Sequence, residues 1–294
     1  MGRDSKQWTR QYSRDLETVG KCLAAWHGNS HSFAMLEITI LASGSTGNSA
    51  LVRTETAIFL VDAGLSTKEL TLRLATCGVI PSDLDAILIT HEHGDHSRGL
   101  VQWAKRYATP IYCNRQTAAI LRDKVVDFSG WKIFETGAEF ILEGTTIRSF
   151  LVPHDAVEPV GFVICSQGRS FGFLTDLGHA TTLVTESLRG VEGLLIETNY
   201  DEALLQQDTK RPWAIKQRIQ SRHGHLSNAA AAEAVAQIHH DGLRHLLLGH
   251  LSRDCNREEL ALAAMQKVLN SRGGSVTEIF CATQATVSSS IRLS

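Results

Sequence analysis

From position 36 the chain alternates apolar and polar residues as a half-buried strand does, in Leu36-Glu37-Ile38-Thr39-Ile40-Leu41. Similar short runs follow, and the pattern predicts strands over 36–42, 58–61, 86–89, 145–152, 161–165, 171–174, 193–197, 245–248 and 276–280. Between them, apolar residues recur at helical spacing and predict helices over 67–77, 99–107, 117–124, 182–188, 227–239 and 257–269. Early strands are joined by short turns such as 43–48, and later ones alternate with helices. That mixture predicts an α/β protein in which two sheets pack together with helices outside.

Residues 1–34 lack a sustained strand period, and they mix charges with the polar stretch His27-Gly28-Asn29-Ser30-His31-Ser32. They are expected to be an N-terminal extension or an upstream start; the alternative is a short helical decoration over 14–26. The folded domain is expected to occupy residues 35–294.

Composition changes this picture little. A chain of 294 residues, 43% hydrophobic and 20% charged, is ordinary for a soluble domain. A formal charge of -2 announces no nucleic-acid partner, so one would have to be read from local clusters. No apolar stretch reaches the roughly 20 residues that span a bilayer, and no secretory signal opens the chain. Six scattered cysteines without a C-x-x-C pair suit a reduced cytosol, so a cytoplasmic location is expected.

The chemistry concentrates at Thr90-His91-Glu92-His93-Gly94-Asp95-His96, directly behind the apolar run Ala86-Ile87-Leu88-Ile89. Imidazole and carboxylate are the side chains that hold zinc, manganese or iron. His-x-His points both rings the same way, while Asp95 and His96 just beyond can face a second ion. Histidines do cluster in solvated loops, but four potential ligands directly behind a buried strand favour a metal site. Three further candidates stand at predicted strand ends: His154 after Phe150-Leu151-Val152-Pro153, Asp176 after Phe173-Leu174-Thr175, and His250 after Leu248-Gly249. Asp62 likewise ends Phe59-Leu60-Val61. Strand ends are where a rigid scaffold hands side chains to reactive loops.

This ordered set resembles the metallo-β-lactamase superfamily of hydrolases, over essentially all of residues 36–294. The resemblance implies an αββα four-layer sandwich with two divalent ions, zinc or manganese, at one edge. It implies that His91, His93 and His154 hold one ion, that Asp95, His96 and His250 hold the other, and that Asp176 bridges them. Asp62 would orient the His-rich loop. Asp176 stands where lactam-cleaving enzymes carry cysteine, and His93 where the di-iron oxygen-reducing branch carries glutamate, which disfavours both. Longer stretches, Ser43-Gly44-Ser45-Thr46-Gly47-Asn48-Ser49, Val152-Pro153-His154-Asp155-Ala156-Val157-Glu158-Pro159-Val160-Gly161-Phe162, Thr175-Asp176-Leu177-Gly178-His179 and Gly224-His225-Leu226-Ser227-Asn228, are similar to the WalJ/YycJ-type exonuclease-like branch.

That resemblance implies a metal-dependent phosphodiesterase, with DNA as substrate and exonucleolytic cleavage as its mode. Asp95, His225 and Glu197 are the candidate catalytic residues, with His225 protonating the leaving alkoxide and Glu197 orienting it. The alternative for His225 is a residue that merely precedes a helix capped by Ser227 or Asn228. Residues 210–223 carry Lys210, Arg211, Lys216, Arg218 and Arg222 around Trp213, with no acidic residue. This segment either tracks a phosphate backbone or is a solvated face; Lys216 and Arg218 are its expected substrate contacts. The loop 43–48, with Ser45 and Asn48, either offers donors to a phosphate or is a tight hairpin whose glycines supply positive φ. Two other functions stay open: hydrolysis of a small or cyclic phosphodiester, and a non-catalytic metal-binding scaffold.

Overall fold

A computed structural model describes residues 36–271 and 277–294; the expected N-terminal extension lies outside the described residues. The described chain forms two mixed sheets. The strands of the first are β1 (Leu36–Ala42), β2 (Ser49–Thr54), β3 (Ile58–Val61), β4 (Ala86–Leu88), β5 (Ile111–Asn114), β6 (Trp131–Phe134) and β14 (Ile291–Leu293), in the order β14-β1-β2-β3-β4-β5-β6. The second holds β7 (Glu139–Leu142), β8 (Thr145–Leu151), β9 (Val160–Ser166), β10 (Arg169–Leu174), β11 (Gly193–Glu197), β12 (His245–Gly249) and β13 (Glu278–Cys281), in the order β13-β12-β11-β10-β9-β8-β7.

Each sheet makes antiparallel steps first and parallel steps after. Pairing is antiparallel for β14-β1, β1-β2 and β2-β3, then parallel through β4, β5 and β6. The second sheet repeats this: antiparallel from β7 to β10, parallel from β10 to β13. Parallel strands end at a common edge, and the crevice beyond their carboxyl ends is where open α/β sheets bind ligands. By these pairings the ends of β1, β3 and β4 share one edge of the first sheet, and those of β8, β10, β11 and β12 share one edge of the second.

Three apolar layers hold the assembly. Ile38, Ile40, Val52, Phe59, Val61 and Leu88 from the first sheet meet Ile147, Phe162, Ile164, Phe171, Phe173 and Leu247 from the second. On the far side of the first sheet, Leu60, Ile87 and Ile111 pack under α1 (Thr67–Thr76), α3 (Leu100–Trp103) and α4 (Arg115–Arg122), which contribute Leu70, Leu74, Trp103 and Leu121. On the far side of the second, Leu194, Ile196, Leu246 and Leu248 pack under α5 (Thr182–Ser187), α8 (Asn228–Ile238) and α9 (Glu258–Ser271). The layers run α, β, β, α, as expected.

These layers explain which elements the pattern predicted. β4 is buried on both faces, Ala86 and Leu88 toward the other sheet and Ile87 toward the helices, and so reads as a continuous apolar run. β2, β5, β6, β7 and β14 were not expected. β6 and β7 are four-residue edge strands whose outer faces carry exposed polar and apolar residues alike, so pairing rather than periodicity defines them. The expected helix over 99–107 contracts to α3 plus a turn. Three short helices, α2 (Gly94–Ser97), α6 (Glu202–Gln207) and α7 (Trp213–Ile219), were also unforeseen.

Candidate metal centre

The His-rich loop is anchored before it begins. The Asp62 carboxylate, at the end of β3, accepts from the Thr90 amide at 2.9 Å and from the Thr90 hydroxyl. Its Oδ2 also takes a hydrogen bond from His96 Nδ1 at 2.7 Å, which leaves His96 Nε2 to face the centre. Thr90 Oγ1 lies 3.0 Å from His91 Nδ1 and turns that ring the same way. Buried carboxylates and hydroxyls on the outward nitrogen are how ligating histidines are oriented. From below, Asn48 N donates to the Asp95 carbonyl at 2.7 Å. Gly64 is obligatory beside it, because a Cβ there would stand 1.6 Å from Asp95 O.

The second sheet supplies single residues. His154, after β8, donates from Nδ1 to the Gly224 carbonyl at 3.0 Å. Asp176 and His250 follow β10 and β12. With Asp62 they share an unusual backbone: φ is 53° at Asp176, 54° at His250 and 63° at Asp62. The left-handed region costs a non-glycine residue on the order of 1 kcal/mol or more, and such strain concentrates at functional sites. Here it turns the chain sharply at the strand end and folds the side chain into the crevice. Ser43 Oγ accepts from His250 N at 2.8 Å and Asn199 Nδ2 donates to His250 O at 2.9 Å, which holds that turn.

Glu197, the last residue of β11, is fully buried. Its Oε1 receives His225 Nδ1 at 2.6 Å and His250 Nδ1 at 2.8 Å. Its Oε2 accepts from the amides of Leu177 at 2.9 Å and Leu226 at 3.3 Å. Burial alone would raise this carboxyl, but His225 and then His250 hold it down at about 2. The carboxylate in turn raises His225 against the downward pull of burial.

The convergent atoms fit divalent metal. His91, His93 and His154 offer three ring nitrogens within 4.8 Å of one another, as do the donor atoms of Asp95, His96 and His250; Asp176 groups with His91 and His96. His154 Nε2 and His93 Nδ1 face each other at 3.3 Å, the separation expected of two nitrogens each about 2.0–2.1 Å from one tetrahedral ion. His91 Nε2, His250 Nε2 and Asp176 Oδ2 are buried without a hydrogen-bond partner. Asp176 Oδ2 does lie 2.7 Å from His96 Nε2, but without the angles of a hydrogen bond, as expected when both aim at a shared point. Orphaned polar atoms at such depth are costly unless an ion takes them up. Burial drives His91 well below the usual imidazole range and lowers His154, keeping both neutral as ligands must be. Burial also lowers His250, but Asp176, Asp95 and Glu197 outweigh it and raise the ring to about 10. Asp176, against its own burial, is held well below the carboxylate range by His250 and His96. The field that attracts those protons would equally attract a cation.

Residues 58–251 match the model of the beta-lactamase superfamily domain. The chain belongs to that superfamily. Exodeoxyribonuclease WalJ of Streptococcus pneumoniae serotype 2 (strain D39 / NCTC 7466) is 41% identical over 231 residues, spanning 77% of this chain and 86% of the relative. Exodeoxyribonuclease YycJ of Bacillus anthracis is 35% identical over 247 residues, 83% of this chain and 93% of the relative. Among solved structures, the metallo-beta-lactamase fold protein YhfI from Bacillus subtilis superposes with a TM-score of 0.67, covering 86% of this chain and 99% of that one, at 17% identity. The last comparison speaks to fold alone.

Within this superfamily member, the crevice brings together His91, His93, Asp95, His96, His154, Asp176 and His250, with Asp62 behind them and the Glu197–His225 pair beside them. The expected substrate contacts fare differently. Lys216 is buried and its Nζ donates to the Gln206 carbonyl at 2.8 Å, so it is no phosphate contact. Arg218 is exposed, but its Nε is bound to Asp155 at 2.6 Å, and Asp155 Oδ1 lies 3.3 Å from His154 Nε2, which places the ion pair beside the centre. Asn48 faces inward, its Oδ1 accepting from Gly44 N at 2.8 Å and its Nδ2 lying 3.0 Å from His96 Nε2, so it closes the 43–48 turn and does not reach outward. Of that loop, Ser45 is exposed. The turn has positive φ at Gly44 and Gly47, 149° and 155°, as its hairpin reading required. The roles of Thr90, Asn199, Ser43 and the Gly224 carbonyl were missed; Thr90, Ser43 and Gly224 stand in the motif stretches noted in the sequence, whereas Asn199 had no such signal.

Proposed function

We propose that this metal-dependent hydrolase is an exodeoxyribonuclease that cleaves the phosphodiester bonds of DNA from an end, with two divalent ions, zinc or manganese, at the centre. The observation that carries the reading is the 41% identity to an exodeoxyribonuclease across 86% of that relative's length. It is supported by a complete set of converging donor atoms. His91, His93 and His154 would hold one ion, Asp95, His96 and His250 the other, and Asp176 both. Bound there, the ions supply neutralisation of charge on the phosphoryl oxygens and a water acidic enough to attack at neutral pH.

The chain's own residues do the rest. Asp95 is braced at its carbonyl by Asn48, which fixes a donor that is only partly buried. Glu197 grips His225 through Nδ1, so Nε2 carries the proton-transfer role toward the departing alkoxide. The raised affinity of His225 for its proton suits a general acid near neutral pH. No helix among the described residues is long and apolar enough to cross a membrane; a role in cytoplasmic DNA maintenance accords with the exodeoxyribonuclease relatives.

The test is digestion of end-labelled linear DNA with added Mn²⁺ or Zn²⁺, then with chelator, beside Asp176→Ala. Stepwise loss of label that needs metal and Asp176 is expected. DNA left intact under every metal condition, while a small phosphodiester is cleaved, would replace this reading with a small-molecule phosphodiesterase.

A further inference from the structure

Five basic side chains stand between residues 210 and 223, and four are engaged by the protein itself. Lys210 Nζ and Arg211 Nη2 meet Asp254 at 2.9 and 3.1 Å, and Arg211 Nη1 meets Asp208 at 2.8 Å. Lys216 is buried on the Gln206 carbonyl, and Arg218 is neutralised by Asp155. Arg222 differs: among the described residues no carboxylate pairs with it. Its Nη2 donates to His179 Nε2 at 2.9 Å, while His179 Nδ1 donates back to the Arg222 carbonyl at 2.9 Å.

This reciprocal lock is built into the walls of the metal centre. Gly178, two residues after Asp176, packs so closely that a Cβ there would stand 2.3 Å from Arg222 C. The Gly178 amide donates to the Pro153 carbonyl at 2.8 Å, beside His154. Two residues beyond Arg222, the Gly224 carbonyl accepts from His154 Nδ1, and His225 follows. An exposed guanidinium is therefore held at the mouth of the crevice. Its partner is an uncharged acceptor, which aims the group without cancelling its charge as Asp155 does for Arg218. A guanidinium has five N–H donors, and its planar fork matches phosphate bidentately.

We infer that Arg222, positioned by His179, binds a backbone phosphate of the nucleic-acid strand entering the metal centre. This rests on the phosphodiesterase reading above. The observations move the phosphate contact away from Lys216 and Arg218, the residues that spacing alone favoured.

The experiment measures kcat and KM of the metal-loaded enzyme on linear DNA across a salt series. Arg222→Gln is expected to raise KM about tenfold, the loss of a charge-assisted hydrogen bond, and to reduce the slope of log(kcat/KM) against log[salt] by about one. Arg222→Lys should restore the slope. A role confined to bracing the Gly178 turn would lower kcat and the melting temperature and leave the slope alone, and that result overturns the assignment. Arg222→Ala repeats the test should the glutamine variant prove unstable. A wild type that digests DNA, beside an Arg222→Gln enzyme with unchanged KM and slope, refutes the Arg222 assignment only. A wild type that digests no DNA overturns this inference and the nuclease reading together.

Discussion

The first sheet delivers His91, His93, Asp95 and His96 from one short loop after β4, whereas the second delivers His154, Asp176 and His250 singly from three separate strand ends. The loop is held by the neighbouring strand: Asp62 and Thr90 lie at adjacent parallel strand ends, and one carboxylate sets both the loop entry and the His96 ring. The single residues are held through left-handed turns at Asp176 and His250 and, for His250, by the buried carboxylate of Glu197. Removing a donor from the second half is expected to disturb the centre more than removing an anchor of the loop.

Asp176→Ala is the strongest challenge to that contrast. It removes the one donor that groups with His91, His96 and His250 alike, so hydrolysis should fall by at least about 10³-fold, as when a group essential to charge stabilisation is lost, with metal content by mass spectrometry reduced. His225→Ala should cost kcat about 10²–10⁴-fold, the usual range for a general acid, while metal content stays near wild type; parallel loss of metal would make His225 a ligand instead. Asp62→Ala removes an anchor of the loop and should weaken metal affinity about 10–100-fold, a smaller effect than Asp176→Ala.

Acidity separates proton from ion at the second-sheet candidate ligand His250, which is raised to about 10 against an ordinary 6.5. A raised imidazole contributes stability to the metal-free protein that is full below about pH 6.5 and is lost as pH climbs through about 10. Metal must displace that proton, so affinity should strengthen as pH rises. Melting curves of metal-free and loaded protein should therefore diverge with increasing pH; a constant gap would show that His250 is not a ligand. The smallest effect expected is from a chain beginning at Met35, which we propose retains full activity because the expected domain boundary lies there; failure of that chain to fold would extend the domain into its first 34 residues.

Much of the fold was legible because strands buried on both faces, β4, β11 and β12, leave continuous apolar runs. The short edge strands were not, since pairing with a neighbour creates them. At the site, spacing could not tell Lys216 and Arg218 from Arg222, because a run of basic residues looks the same whether each faces phosphate, Asp155 or a backbone carbonyl. Arg222 stood in that run and looked no different from its neighbours.

By itself, the sequence determined the candidate donor residues and the strand ends on which they sit, because ligand chemistry and strand periodicity are both written locally. Only the tertiary structure decided which of them meet, that Glu197 serves His225 and His250 together, and which cation keeps its charge free. Those outcomes depend on parallel strands ending at a common edge and on burial, which raises the cost of every unpaired charge.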